Sequence, residues 1–134
     1  MNLRRVLAAA TMLPLITITL AVPAQASSGA PSDEGIIGNW TTSTDGVRQT
    51  VTFARSGRIS GDSGCNRFIG EYGIDGSVVE VGELASTMMY CEGAMEAERS
   101  LLRALQKSVS FSVKGERLTL FGPRGRVTVR LTAS

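Results

Sequence analysis

Hydrophobic and polar residues alternate along most of the chain beyond residue 36, which is the pattern of half-buried β-strands. In the clearest stretch, one parity carries Val47, Gln49, Val51 and Phe53, and the other carries Arg48, Thr50 and Thr52. Asp45-Gly46 and Asp75-Gly76 are typical of hairpin turns. On these signals we predict strands over Ile36–Thr42, Arg48–Ala54, Arg58–Gly61, Phe68–Ile74, Ser77–Val81, Val109–Val113, Arg117–Phe121 and Arg126–Leu131.

The remaining stretch of the chain contains one helix. Residues Gly93–Lys107 repeat apolar side chains at the helical period, with Glu98 as a charged exception at the edge of the apolar stripe. The preceding run Leu84–Cys91 is apolar and uncharged, and we expect it to be a buried irregular strand. Strands around a single helix predict an α+β fold. Its sheet is expected to be mainly antiparallel, curled or barrel-like, with about seven to eight short strands and one principal helix over about 93–107.

The N-terminal region reads as a targeting segment. Arg4 and Arg5 precede an apolar run over Val6–Val22, and the small-residue pattern Ala24-Gln25-Ala26 follows. This order is typical of a secretory signal peptide. We predict cleavage between Ala26 and Ser27, a flexible leader over 27–35 and one domain over 36–131. An uncleaved membrane anchor is the alternative reading of the apolar run.

Charge and composition exclude several kinds of partner and of catalytic site. Beyond residue 26 the chain has twelve basic and twelve acidic residues, so its net charge gives no reason to expect nucleic acid or an anionic membrane as partner. Histidine is absent, which excludes Ser-His and Cys-His nucleophile pairs and His-ligated metal sites. We therefore expect an exported, periplasmic or secreted protein with no cofactor, no metal and no membrane span after cleavage, and we expect a monomer.

Two cysteines, Cys65 and Cys91, follow the predicted cleavage site. An even count in an oxidising compartment favours one disulfide, which would contribute roughly 3–4 kcal/mol by closing this loop. Two buried free thiols are the alternative. The nearby Met88, Met89 and Met95 are expected to pack in the core, since Met commonly fills irregular gaps; a thioether copper site is the alternative.

The densest local signal is Gly64-Cys65-Asn66-Arg67-Phe68. Gly and Asn tolerate left-handed backbone, so a tight turn accounts for both, with Asn66 as a cap and Arg67 paired to Glu71. The alternative is an exposed recognition turn formed by Gly64, Asn66 and Arg67. Elsewhere, Trp40 is expected to anchor the core.

Taken together, these motifs resemble the META domain, also called the HslJ-like domain, over residues 36–131. The resemblance rests on Gly38-x-Trp40, Val51-Thr52-Phe53, Gly57-Arg58-Ile59-Ser60-Gly61, Gly64-Cys65-Asn66-Arg67-Phe68-x-Gly70-x-Tyr72, Leu84-Ala85-Ser86-Thr87-Met88-Met89-x-Cys91, Met95-Glu96-x-Glu98 and Leu118-Thr119-Leu120. It implies a small α+β domain of exported or envelope proteins, without established catalytic residues, and it maps the family's cysteine pair onto Cys65 and Cys91. Many relatives are lipoproteins, whereas this chain lacks the lipid-attachment cysteine.

The functional hypothesis is a non-catalytic exported module that binds a protein or envelope component, with a stress-linked role implied by the resemblance to the heat-shock-associated HslJ. Two alternatives stay open. A secreted hydrolase would use paired carboxylates, Asp62 and Glu71, which must approach to about 5–10 Å. An inhibitor of a secreted enzyme would need an exposed rigid loop.

Overall fold

A single antiparallel sheet, curled into a ring, is the main element of the described part of the protein. The computed structural model describes residues 13–19, 21 and 35–134. Nine strands form in that part of the chain: β1 (Gly38–Thr44), β2 (Val47–Phe53), β3 (Arg58–Asp62), β4 (Arg67–Asp75), β5 (Val78–Val81), β6 (Ala85–Ser86), β7 (Ser110–Lys114), β8 (Arg117–Phe121) and β9 (Val127–Ala133). The helix α1 spans Met95–Lys107, and a short 3-10 turn spans Pro123–Gly125.

The strands follow the order β3-β2-β1-β9-β8-β7-β5-β4, and β4 pairs with β3 to close the ring. Strand β4 also carries the two-residue β6 beside β5, through the pairs Phe68↔Ser86 and Ile69↔Ala85. The predicted α+β fold with a curled antiparallel sheet and one helix is therefore confirmed. Most of the predicted signal peptide, its cleavage between Ala26 and Ser27, and the leader up to residue 34 lie outside the described residues.

The interior of the ring is filled by the inward parity that the sequence predicts for β2, together with its counterparts on other strands. Val51, Phe53 and Ile59 are fully buried, and Leu118 and Leu120 face them from the opposite side of the ring. Trp40 is buried as expected, and its indole N–H donates to the carbonyl of Ile36 (2.8 Å). The helix adds Leu101 and Leu105 to this core.

The segment after β5 differs from its prediction. Only Ala85–Ser86 forms a strand, and Met88, Met89 and Tyr90 are 95%, 59% and 79% exposed. The expectation of a buried strand and of core packing for Met88 and Met89 is therefore wrong. The ring is already filled by the other strands and α1, so this segment lies outside it.

Among the described residues, no helix has the length and apolar character needed to cross a membrane.

Candidate functional site

A disulfide joins the turn after β3 to the segment that leads into α1. Cys65 and Cys91 are bonded, with their Cα atoms 5.7 Å apart, so the predicted disulfide is present. It fixes the far end of the stretch 84–91, which we call the stapled segment. The near end is fixed by the pairing of β6 with β4.

Asn66 anchors the middle of the stapled segment. Its Oδ1 accepts hydrogen bonds from the Met89 amide (2.7 Å) and the Thr87 hydroxyl (2.8 Å). Its Nδ2 donates to the Met89 carbonyl (3.0 Å) and to Glu98 Oε2 (3.1 Å). The amide side chain thereby makes every hydrogen bond of which it is capable. Since Asn66 is only 2% exposed, it acts from inside the protein.

Glu98 is the second buried member of this network. Ser63 Oγ donates to its Oε1 (2.8 Å), and Asn66 binds its Oε2. The carboxylate lies in the first turn of α1, where the partial positive charge of the helix N-terminus favours an acidic group. The helical period places Glu98 at the edge of the apolar stripe, but the residue is 6% exposed and its side chain faces inward.

Gln49 extends the network to the neighbouring strand. Its Nε2 donates to the carbonyls of Ser63 (2.8 Å) and Ala97 (2.9 Å), and its Oε1 accepts from the Thr44 hydroxyl. Strand β2, the β3–β4 turn and α1 are thus joined by one set of buried hydrogen bonds. We call Gln49, Ser63, Asn66 and Glu98 the polar network. No buried side-chain nitrogen or oxygen of the described residues lacks a partner.

Two glycines permit this arrangement. Gly64 has φ +97, which favours glycine, and a side chain there would collide with Val47. At Gly70, a Cβ atom would lie 2.8 Å from the Glu83 carbonyl and 2.7 Å from the Leu84 side chain. Because Gly70 has no side chain, Glu83 and Leu84 can lie close to β4 just before β6 begins. Both glycines belong to the motif G-C-N-R-F-x-G that the sequence made conspicuous.

An open groove of about 910 Å³ lies beside the stapled segment on the outer side of β2, β3 and β4. Its lining is mostly small or polar, with Phe68 and Ile69 as the large apolar members: Arg48, Thr50, Ser60, Gly61, Asp62, Gly64, Arg67, Phe68, Ile69, Ala85, Ser86 and Thr87. We call it the outer groove. Arg48 and Arg67 are exposed and form no ion pair with a described residue.

The residues of the predicted recognition turn separate in the structure. Gly64 and Arg67 line the outer groove, whereas Asn66 points inward into the polar network. The expected pairing of Arg67 with Glu71 is not formed, because four residue steps along β4 separate their backbones by roughly 13 Å. Arg67 is left available on the groove wall.

The register of β3 and β4 bears on the carboxylate pair. Asp62 and Glu71 stand at opposite ends of the β3–β4 pairing, four residue steps apart. At about 3.3 Å a step, this separates their backbones by roughly 13 Å. Asp62 Oδ1 also accepts the Gly64 amide (2.8 Å). This backbone separation is larger than the roughly 5–10 Å between the carboxyl groups of a glycosidase pair.

Comparison with known proteins identifies the family. The family model described as "META domain" matches residues 36–134. The chain belongs to the META domain family.

Three solved structures share the fold of this META domain. An NMR structure of a protein from Burkholderia xenovorans superposes with TM-score 0.65 at 22% identity and covers 91% of this chain and 99% of that one. A second NMR structure gives TM-score 0.56 at 19% identity, covering 73% and 90%. A DUF4847 family protein from Bacteroides vulgatus gives 0.53 at 14%, covering 64% of this chain and 59% of its own. No curated protein matches by sequence.

Sequence reasoning missed Arg48, Thr87 and the exposure of Met88–Tyr90. Arg48 carried no signal beyond its outward parity on β2. The sequence did contain a signal for the role of Glu98. An acidic residue among the apolar positions of α1 requires hydrogen-bond donors from elsewhere in the fold. The identity of those donors depends on long-range contacts that no local pattern contains.

Proposed function

We propose that this META domain is an exported, non-catalytic binding module that recognises a protein ligand through the outer groove and the stapled segment. The observation that carries the proposal is a rigidly anchored segment with three exposed large side chains, Met88, Met89 and Tyr90, next to an open groove. Clustered exposed apolar side chains mark interaction sites. Met and Tyr are also among the residue types enriched in protein interfaces.

The chemistry of the groove supports a partner segment that is acidic and partly apolar. Arg48 and Arg67 supply two guanidinium groups that form no ion pair within residues 35–134, and a guanidinium binds a carboxylate in a bidentate manner. Ile69 offers an exposed apolar contact between them and the stapled segment. The small lining residues leave room for side chains of the partner.

Rigidity supports binding as well. The disulfide, three hydrogen bonds between the Asn66 side chain and the segment, and the β6 pairing hold the segment in one shape before any partner arrives. A segment that is already held in its binding conformation loses less conformational entropy when the partner binds. The same rigidity suits the second candidate, an inhibitor of a secreted enzyme, in which case the protein ligand is that enzyme.

Export is supported by the Cys65–Cys91 disulfide, which fits an oxidising compartment. The absence of catalysis is supported by how the polar side chains are used. Ser63, Asn66 and Glu98 are buried and bonded to one another, so they are withdrawn from a substrate. Asp62 and Glu71 are separated by the register of β3 and β4.

Site-specific crosslinking tests this proposal. A photoreactive amino acid replaces Met88 or Ile69 and, as control, Val127, which is exposed on β9. We expect one protein from envelope extract to crosslink to Met88 and Ile69 but not to Val127. Arg67→Ala should remove the adduct. Arg58→Ala, the matched change of an exposed arginine on β3, should leave it intact.

Two results would contradict the proposal. Equal crosslinking at Val127 would show that the groove is not the binding surface. Turnover of a glycan or peptide that is lost in Asp62→Ala or Glu71→Ala would show an enzyme instead.

A further inference from the structure

Basic and acidic residues are distributed unevenly along the domain. Residues 35–98 contain nine acidic and four basic residues, whereas residues 99–134 contain eight basic residues and one acidic residue. The second stretch comprises most of α1 together with β7, β8 and β9. Although the net charge beyond residue 26 is zero, residues 99–134 are strongly positive.

The fold brings part of this charge to the C-terminal end of α1. The Ser108 and Thr128 hydroxyls lie 2.7 Å apart, which joins the helix end to the start of β9. The Gly122 amide donates to the Arg126 carbonyl (2.7 Å), and a Cβ atom on Gly122 would lie 3.5 Å from the Lys107 carbonyl. The last turn of α1 and the 3-10 turn are consequently neighbours.

Four exposed basic side chains belong to these two elements: Arg103 and Lys107 on the helix, and Arg124 and Arg126 on and beside the turn. We call them the basic ridge. None forms an ion pair with a described acidic residue. The helix dipole favours a base at Lys107 in the last turn, but it gives no reason for the three arginines.

Arg124 adopts an unfavourable backbone conformation. Its φ is +64, in the left-handed region where Gly and Asn are favoured over other residues. The turn would form more readily with Gly or Asn at this position. Backbone strain of this kind is found at functional sites. We therefore attribute the arginine at this position to a ligand that its side chain binds.

We propose that the basic ridge binds an extended phosphate-bearing polyanion. Three of the four residues are arginines, whose planar guanidinium groups match phosphate geometry. Val109 and Val127 are the two large apolar residues exposed beside the ridge, and each is about two-fifths exposed; two valines offer little to insert into a bilayer, so a polymer fits better than a membrane. The site lies apart from the outer groove, because the 13-residue helix α1 separates its two ends by roughly 20 Å.

Binding to labelled inorganic polyphosphate tests this, using protein purified from cells that express the whole 134-residue chain. Four phosphate contacts predict that the logarithm of the binding constant falls with the logarithm of salt concentration with a slope of about −3. The double variant Arg103→Gln/Arg124→Gln should halve this slope and weaken binding. The control Arg58→Gln/Arg117→Gln replaces two exposed arginines of β3 and β8, changes net charge equally and should leave both unchanged.

Equal weakening by the two double variants would overturn the proposal, since only net charge would then matter. So would binding to phosphatidylglycerol vesicles that exceeds binding to polyphosphate at the same phosphate concentration, because a membrane would then be the target. No binding of polyphosphate at low salt would also overturn it. Circular dichroism of each variant verifies that the fold is retained.

Discussion

The interior of the ring and the polar network beneath the stapled segment are both buried, yet they are stabilised by different physics. Phe53, Ile59 and Leu118 contribute through apolar burial, which has no preferred direction and depends on volume. Asn66 and Glu98 contribute through hydrogen bonds of fixed geometry to named partners. The interior therefore stabilises the ring as a whole. The network determines where one surface segment lies.

The largest effect is expected from the apolar interior. Phe53→Ala removes a fully buried ring that packs edge-on against Tyr72 at 5.0 Å between centroids. We expect the free energy of unfolding to fall by about 3–5 kcal/mol. Chemical denaturation measures this change. The neighbouring Thr52→Ala, on the outer face of β2, should cost much less, and similar losses from both variants would contradict the placement of the core.

The disulfide is expected to come next. The double variant Cys65→Ala/Cys91→Ala opens a link between residues 26 positions apart and should lower the free energy of unfolding by roughly 2–4 kcal/mol. Reductant should destabilise the natural protein and leave the variant unaffected. A response to reductant in the variant would show that the loss has another source.

Removal of one polar-network member should have a smaller and more local effect. Asn66→Ala leaves the Met89 amide without its acceptor and Glu98 without one donor, which should cost about 1–3 kcal/mol. Asn39→Ala is the matched control, because Asn39 is exposed on β1. If the two variants lose equal stability, Asn66 has no special role.

The smallest effect is expected at the surface. The Arg99 guanidinium donates a hydrogen bond to Glu96 (2.7 Å), and this bond and the charge of Arg99 hold the pKa of Glu96 below its ordinary value. Because the folded pKa is the lower one, the pair stabilises the protein above the unfolded pKa. That stabilisation is lost as the pH falls through the folded pKa. A carboxyl titration by NMR should show the pKa of Glu96 rise in Arg99→Gln and stay unchanged in Arg117→Gln.

The difference between the apolar ring interior and the polar network also explains which features the sequence could predict. Alternation and turn signals predicted eight of the nine described strands to within two residues at each end, since each signal depends on neighbours in the chain. The helix was predicted within two residues of its start. Local pattern could equally well identify the cysteines and the Gly64–Phe68 motif.

The stapled segment could not be predicted in this way. Its apolar composition indicated burial, but the ring has no remaining interior for Met88 and Tyr90, which are exposed. The role of Asn66 likewise depends on Met89 and Glu98, which lie 23 and 32 positions away. Hydrogen bonds between residues that are far apart in the chain produce no repeating pattern in the sequence.

The central claim is that Asn66 and the disulfide hold the stapled segment rigid, and amide hydrogen exchange at Met89 tests it most directly. The Met89 amide donates to buried Asn66, whereas among the described residues no acceptor is found for the amide of exposed Met88. We predict that Met89 exchanges at least about tenfold more slowly than Met88, and that Asn66→Ala removes the difference. Equal exchange at both amides in the natural protein would contradict the claim.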